Sequence, residues 1–186
     1  IQLANQIGCG SIKFNFMQNM GRGSIFIEQN GLSIQEQVDI YRDLENNMTK
    51  NGNIPVFFNI PIAFYPIKRF FRANIGKCNV LNLVGLLANG DYALCGIGTS
   101  ISDLVYGNIK DDLLSIWEKS EGLKKLREMI PEKFEGICSN CVHRNFCLGG
   151  CIANNYFISH QLNASYEFCK IAEKLGIFPE SRKLRM

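Results

Sequence analysis

Cysteine is the residue type that could do the most chemistry in this chain. Eight cysteines occur among 186 residues, which is about 4% of the chain and below the density of a disulfide-stapled domain. Four of them fall within fourteen residues. Clustering of that kind points to ligation of a metal or an iron–sulfur cluster rather than to scattered disulfides. The eight are Cys9, Cys78, Cys95, Cys138, Cys141, Cys147, Cys151 and Cys169.

The clustered cysteines have the spacing C-x2-C-x5-C-x3-C, which begins at Cys138 and ends at Cys151. Two residues between the first pair allow a tight turn to direct both sulfurs at one metal centre. Gly149 and Gly150 come just before the last cysteine, where we expect the backbone to approach a bulky cluster closely. This spacing alone is also compatible with a structural zinc site.

Three further cysteines extend the pattern. Cys78 and Cys95 stand on either side of Gly90 in the spacing C-x11-G-x4-C, and Cys169 follows alone. The whole series resembles the SPASM domain of radical S-adenosylmethionine (SAM) enzymes, in which the same cysteines and glycine occur in the same order. Residues 106–109, Tyr-Gly-Asn-Ile, are similar to the segment of that family that links the hairpin to the following helix. The resemblance covers roughly residues 78–172.

The resemblance implies two auxiliary [4Fe–4S] clusters. An outer cluster would be bound by Cys138, Cys141, Cys147 and Cys169 (the outer set), and an inner cluster by Cys78, Cys95 and Cys151 (the inner set). Some family members complete the inner site with a cysteine shortly after the first, but residues 79–89 contain none. We therefore expect an inner cluster with a non-cysteine ligand or with an open iron, which could bind a substrate thiolate.

The same resemblance implies the C-terminal portion of a radical SAM/SPASM maturase, which modifies a ribosomally made peptide or protein that carries a leader segment. SAM and a third [4Fe–4S] cluster would belong to the full-length enzyme, and a flavodoxin or ferredoxin would donate electrons. The motif C-x3-C-x2-C, which binds that third cluster, is absent. We therefore predict that this chain alone is inactive. Because it begins with Ile1 rather than Met, we expect a fragment of a longer protein.

A second function remains open at this point. The chain could be a non-catalytic module, stabilised by iron–sulfur or zinc sites, that recruits a peptide. In such a module the metal-binding energy contributes directly to folding.

We expect the fold class to be α/β, or α+β when the whole chain is considered, and its helices and strands to position these residues. Residues 11–16 alternate between apolar and polar and predict a strand. A capping box at Ser33 and Glu36 begins a helix that we expect to end at Asn51-Gly52. The apolar run over 54–60 predicts a buried parallel strand. We interpret residues 1–77 as the last strand–helix–strand units of a partial TIM-type barrel, and residues 78–186 as a SPASM domain with a C-terminal tail.

The second half of the chain is predicted to be more irregular. The Asn89-Gly90 dipeptide predicts a β-hairpin between residues 81–87 and 92–94. A helix is predicted over 108–129, with a break at Gly122 and a stop at Pro131. Short irregular segments are predicted over 136–169, and a last helix over 165–175 would carry Cys169.

Weaker candidates lie near the first strand. Residues 10–12 resemble the strand that backs the adenine of SAM in the family, which puts Ile12 on the SAM-binding side; the alternative for Ile12 is a core residue. Asn15 and Arg22 lie near the carboxyl end of that strand, where ligands of barrels bind, and are candidates for contact with cofactor or substrate. Asn59, on the next strand, is a similar candidate. Cys9 does not fit the pattern and is expected to be a buried thiol.

Several basic residues and both histidines are expected to be solvated. Lys68, Arg69 and Arg72 form a local patch that could alternatively contact an acidic leader, and the C-terminal tail is also basic. His143 and His160 are expected at the surface. For His143, which lies in the x5 loop, the alternative is a hydrogen bond to a cluster sulfur.

Composition and charge exclude several classes of protein. The hydrophobic fraction of 46% supports a packed core, and the net charge of +3 is too small to indicate nucleic acid or an anionic membrane surface as a partner. No signal peptide and no uncharged apolar stretch of about 18 residues occurs. We therefore expect a cytoplasmic protein, in which disulfides are disfavoured.

Overall fold

Two short parallel strands form the N-terminal sheet in the computed structural model, which describes residues 1–47, 54–71, 75, 77–97 and 101–185. Strand β1 (Ile12–Asn15) pairs with β2 (Val56–Asn59), and Asn15 is the register partner of Asn59. Helix α1 (Gln2–Gln6) precedes β1, and two helices, α2 (Arg22–Asn30) and α3 (Ile34–Asn47), connect the strands. The strand–helix–strand order is confirmed, whereas two strands do not make a barrel and the barrel assignment stays a prediction.

Helix α3 begins at the predicted capping box. The Ser33 backbone N–H donates to Glu36 Oε2 at 2.7 Å, and the Glu36 N–H donates to Ser33 Oγ at 3.2 Å. Two donors that the helix start leaves unsatisfied are thereby paired. Val38 and Tyr41 are buried on the apolar face of the helix. The predicted helix end at Asn51-Gly52 lies outside the described residues.

A three-stranded antiparallel sheet follows. Strands β3 (Gly85–Leu86) and β4 (Asp91–Ala93) form the predicted hairpin, with Gly90 at a φ of +89° in its turn. Strand β5 (Val105–Asn108) pairs with β4 on its other edge and was not predicted. The Asn108 side chain donates from Nδ2 to Asp91 Oδ1 at 2.9 Å, which joins β5 to the hairpin.

The prediction of one helix over 108–129 is wrong about where the helix starts and where it breaks. Helix α4 (Leu113–Lys119) begins after Asp112, whose side chain accepts a hydrogen bond from the Ser115 N–H at 2.8 Å. The aspartate that caps this helix therefore lies just before its first residue. Helix α5 (Glu121–Met129) follows after Ser120, two residues before the predicted break.

The cysteine-rich segment contains more helix than the sequence predicts. It comprises α6 (Gly136–Ser139), α7 (Arg144–Cys147) and α8 (Ile152–Ser159), followed by α9 (Glu167–Lys174), which carries Cys169 as predicted. The prediction of irregular structure is wrong for α8. Its first four residues are all buried, so this helix lacks the one-sided apolar pattern of a surface helix.

The two halves of the chain share one core. Three clusters of buried apolar residues occur, and Tyr166 packs against all three. One of them contains Val38 and Phe58 from the N-terminal unit together with Phe168 from α9. In the described part of the chain, no helix combines the length and the apolar character needed to cross a bilayer.

A largely buried ion pair ties α3 to the segment after β2. Arg69 Nη2 lies 2.9 Å from Glu45 Oε2, both side chains are at most 15% exposed, and the Tyr41 hydroxyl also donates to Glu45. We expect Glu45→Ala to lower the free energy of unfolding by about 2–3 kcal/mol, since a buried charge loses its main partner. The matched control is Arg42→Ala, which breaks the exposed pair with Asp39 and should cost less than about 1 kcal/mol. Urea denaturation followed by circular dichroism measures both, and equal losses would contradict the prediction.

Candidate metal centre

The four thiols of the outer set surround one small cavity. Cys138 lies in α6, Cys141 just after it, Cys147 at the end of α7 and Cys169 in α9. All four line one small cavity, whose other walls are mostly apolar. Four cysteines that are up to 31 positions apart in the sequence are thus brought to one place.

Backbone N–H groups point at these sulfurs. The Tyr166 N–H donates to Cys138 Sγ and the His143 N–H donates to Cys141 Sγ, each at 3.4 Å. The Cys147 sulfur accepts from the N–H of Gly150. Such donors stabilise thiolate charge, and they accompany thiolate ligands of iron–sulfur clusters.

Burial keeps the outer-set thiols protonated in the metal-free chain. It raises the pKa of Cys138, of Cys141 and, to about 12, of Cys147. It also raises the pKa of Cys169 well above the usual value, and the charges of the three other thiols raise that pKa further. Several acidic thiols close together in a buried cavity are costly to ionise unless a cation compensates them.

The spacer between Cys147 and Cys151 turns the chain sharply. Leu148, Gly149 and Gly150 all have positive φ, at 51°, 73° and 70°. A Cβ at Gly150 would lie 2.7 Å from the Tyr166 ring, and one at Gly149 would lie 2.8 Å from the Phe134 ring. These glycines thus adopt the left-handed backbone and leave room for two aromatic rings, and Gly149 also lines the outer-set cavity. Their close approach to a cluster stays a prediction.

The three inner-set thiols form a second group. The pKa of Cys78 is raised by burial and then by the charges of Cys151 and Cys95, and the pKa of Cys151 is raised by burial and by Cys95. Cys78 is exposed, whereas Cys95 and Cys151 are partly buried. The structure thus brings together the members of each predicted ligand set, and the inner set is open to solvent at Cys78.

In the described part of the chain, no three Cys, His, Asp or Glu side chains converge as ligands of a single metal ion do.

The basic tail is only partly solvated: Lys170, Lys174 and Arg185 are exposed as expected, whereas Arg182 and Lys183 are half-buried. Arg182 donates from Nη2 to the Tyr65 carbonyl at 3.0 Å and from Nε to the Ala63 carbonyl at 3.3 Å. Its own carbonyl accepts from the Val142 N–H, and Lys183 pairs with Cys141 in an isolated β-bridge. The tail thereby braces the Cys141 loop, and the charge of Arg182 counteracts part of the burial effect on the pKa of Cys141.

The basic patch before Cys78 is corrected as well. Arg69 is engaged by Glu45 and is only 15% exposed, so the patch does not present it to a leader peptide. Lys68 is exposed. Arg72 lies outside the described residues.

Ile12 and Asn15, which are predicted on the SAM-binding side, both lie in β1. Ile12 is partly buried within β1, and Asn15 is exposed at the end of β1, where it lines a shallow surface cavity. Arg22 begins α2, and its side chain is not described. Cys9 is only partly buried, which corrects its interpretation as a core thiol. The role of these residues stays a prediction.

A larger groove lies between the strand ends and the cysteine-rich segment. This strand-end groove has an empty volume of about 1080 Å³ and is lined by both polar and apolar side chains. Its lining includes Gln18, Asn59, Asn154, Tyr166 and Phe168. Asn154 Oδ1 and Gln18 Oε1 are buried and lack a hydrogen-bond partner in the described structure. Buried acceptors of this kind are normally paired.

Sequence reasoning missed Asn154 and Tyr166. Asn154 stands next to Asn155 in a predominantly apolar helix, and two adjacent amides there are the signal that could have identified it. Tyr166 forms the wall between the strand-end groove and the outer-set cavity. No local pattern marks this position, because it depends on elements from the whole chain.

Comparison with known proteins finds a match to part of the cysteine-containing half of the chain. Residues 78–142 match the family model of the SPASM iron–sulfur cluster-binding domain. No curated protein and no solved structure matches the chain. The match includes two inner-set cysteines, Cys78 and Cys95, and two outer-set cysteines, Cys138 and Cys141. It indicates that this part of the chain binds an iron–sulfur cluster.

Proposed function

We propose that this chain holds two auxiliary [4Fe–4S] clusters and serves a radical SAM/SPASM maturase that modifies a ribosomally made peptide or protein. The observation that carries the proposal is the separation of seven cysteines into two spatial groups, four of whose members lie in the segment 78–142 that matches the SPASM model. Each group corresponds to one predicted ligand set. Thiolate-bound clusters of this kind transfer electrons at potentials that burial and hydrogen bonds adjust.

The four thiols of the outer set and their hydrogen-bond donors support a cluster bound by thiolates. In a [4Fe–4S] cluster each thiolate binds a different corner iron. The four outer-set thiols line one common cavity. The N–H donors at Cys138 and Cys141 also suit ligands that carry thiolate charge.

The inner set supports a site that can receive a further ligand. Its three thiols leave one iron of a four-iron cluster without a cysteine, and Cys78 is exposed at its edge. A thiolate of the substrate peptide would fit this open position. Adding a cysteine-containing peptide to the loaded protein should then change the electronic spectrum of one cluster only, and an unchanged spectrum would contradict substrate ligation.

The strand-end groove supports a peptide as the substrate. Its apolar walls accommodate side chains, and the unpartnered oxygens of Asn154 and Gln18 would accept hydrogen bonds from backbone amides. In this proposal the radical SAM core of the full-length enzyme supplies C-x3-C-x2-C, SAM and the third cluster, and a flavodoxin or ferredoxin supplies electrons in the cytoplasm. This chain contributes the auxiliary clusters and part of the peptide site.

The proposal is tested by metal analysis after anaerobic purification and reconstitution. We expect about eight iron and eight sulfide per chain, and electron paramagnetic resonance (EPR) signals of reduced [4Fe–4S] clusters. About four iron would leave one cluster and contradict the two-cluster assignment. Stoichiometric zinc without iron would contradict the redox function and support the metal-stabilised recruiting module instead.

A further inference from the structure

His143 has a buried nitrogen that the described residues leave without a partner. Its Nε2 is shielded from solvent and makes no hydrogen bond within the described structure. The residue lines the same cavity as the four outer-set thiols. An unpaired polar atom at such a position requires an explanation, because its desolvation is not compensated.

The imidazole is held in place from two sides. Its ring stacks on Phe70, with 5.1 Å between the ring centroids and 12° between the planes. Its backbone N–H donates to Cys141 Sγ at 3.4 Å. The ring is thus oriented by a neighbouring aromatic side chain and by the ligand loop itself, and not by a hydrogen bond of Nε2.

We infer that His143 donates a hydrogen bond from Nε2 to a sulfur of the metal cluster in the outer-set cavity and thereby raises the reduction potential of that cluster. The inference rests on the proposed function, because the acceptor is the cluster. It gives the unpaired nitrogen its partner. Nε2 carries a proton in the imidazolium form and in one neutral tautomer, so the bond does not require a particular charge on the ring.

The direction of the effect follows from charge. A reduced cluster carries one more negative charge than the oxidised cluster, and a hydrogen bond to a charged acceptor is stronger than one to a less charged acceptor. The donor therefore stabilises the reduced form more than the oxidised form. Four thiols already supply four ligands, so the cluster does not need His143 as an iron ligand.

The test compares three variants of the loaded protein. His143→Phe keeps a ring that can stack on Phe70 but removes the donor, and His143→Gln keeps an N–H donor. His160→Phe changes the other histidine, which is exposed, and is the control. The reduction potentials of both clusters are measured by EPR-monitored redox titration.

We expect His143→Phe to disfavour reduction of one cluster by about tenfold, a shift of ~59 mV to more negative potential for one electron. The other cluster should not shift, His143→Gln should shift less, and His160→Phe should leave both potentials unchanged. Unchanged potentials in His143→Phe would overturn the inference.

A second readout identifies the bond directly. With histidine labelled with ¹⁵N only in the imidazole ring, pulsed EPR of the reduced protein should detect a weak ¹⁵N coupling that disappears in His143→Phe and persists in His160→Phe. A strong coupling, typical of a direct iron–nitrogen bond, would overturn the inference because His143 would then be a ligand. A wild-type protein that assembles no cluster contradicts the proposed function, and this inference with it. A protein with both clusters loaded but no potential shift contradicts this inference alone.

Discussion

Iron content should fall from about eight to about four atoms per chain when Cys138 and Cys141 are both replaced by alanine. These residues supply two of the four thiols around the outer-set cavity. A cluster that loses two ligands is not retained. The inner set has no member in this pair, so its cluster should remain, and only one of the two reduced EPR signals should disappear. The measurements are iron analysis and EPR after anaerobic reconstitution.

Matched variants make this result specific. Cys9→Ala removes a thiol that belongs to neither set, and the iron content should stay at about eight. Replacing both Cys95 and Cys151 by alanine should remove the other signal and leave the one that the first variant loses. If either double variant lost all iron while its circular dichroism spectrum remained native, the cysteines would belong to one shared site and the two-set assignment would be wrong.

Local sequence signals predicted those parts of the fold that local chemistry determines. The Ser33–Glu36 capping box forms as predicted because both partners lie three residues apart at one helix start. The Asn89-Gly90 hairpin forms because its turn requires positive φ at Gly90. The grouping of the cysteines is different, because it came from the family resemblance and not from spacing: Cys147 and Cys151 are only four residues apart but belong to different sets.

Tertiary contacts determined what the sequence could not predict. Strand β5 exists because β4 offers it an edge, and residues 105–108 show little alternation of their own. Arg182 braces a loop through carbonyl groups up to 119 positions away. His143 is half-buried rather than fully exposed, and its ring stacks on Phe70, which lies 73 positions earlier in the chain. The identity of the bound group in each set stays a prediction that metal analysis decides.

In the metal-free protein, stability should fall as the pH rises above about 9. The pKa values of Cys147 and Cys169 are raised in the folded chain, to about 12 for Cys147, whereas the unfolded thiols keep a pKa near 9.0. Below pH 9 both states hold these protons and the raised pKa costs nothing. Between pH 9 and the folded pKa, only the unfolded state releases them, so unfolding becomes more favourable.

The expected loss at pH 10 is about 1.4 kcal/mol for each thiol that stays protonated in the folded state. Other groups also titrate in this range, and the variant Cys147→Ala/Cys169→Ala corrects for them. Between pH 8 and pH 10, wild-type protein should lose about 3 kcal/mol more unfolding free energy than the variant in anaerobic urea denaturation with a reductant. Equal losses would mean that the two thiols are not buried as the structure has them.

Cluster assembly should have the opposite pH dependence. Iron binds the thiolate, so loading releases the protons that burial retains, and it becomes more favourable as the pH approaches the pKa of the thiols. The reconstituted iron content at limiting iron should therefore rise from pH 7 to pH 9. Over the same range the stability of the metal-free chain should change little. The same buried thiols thus lower the stability of the metal-free chain at alkaline pH. In the loaded chain, the bound metal compensates the negative charge of these thiolates.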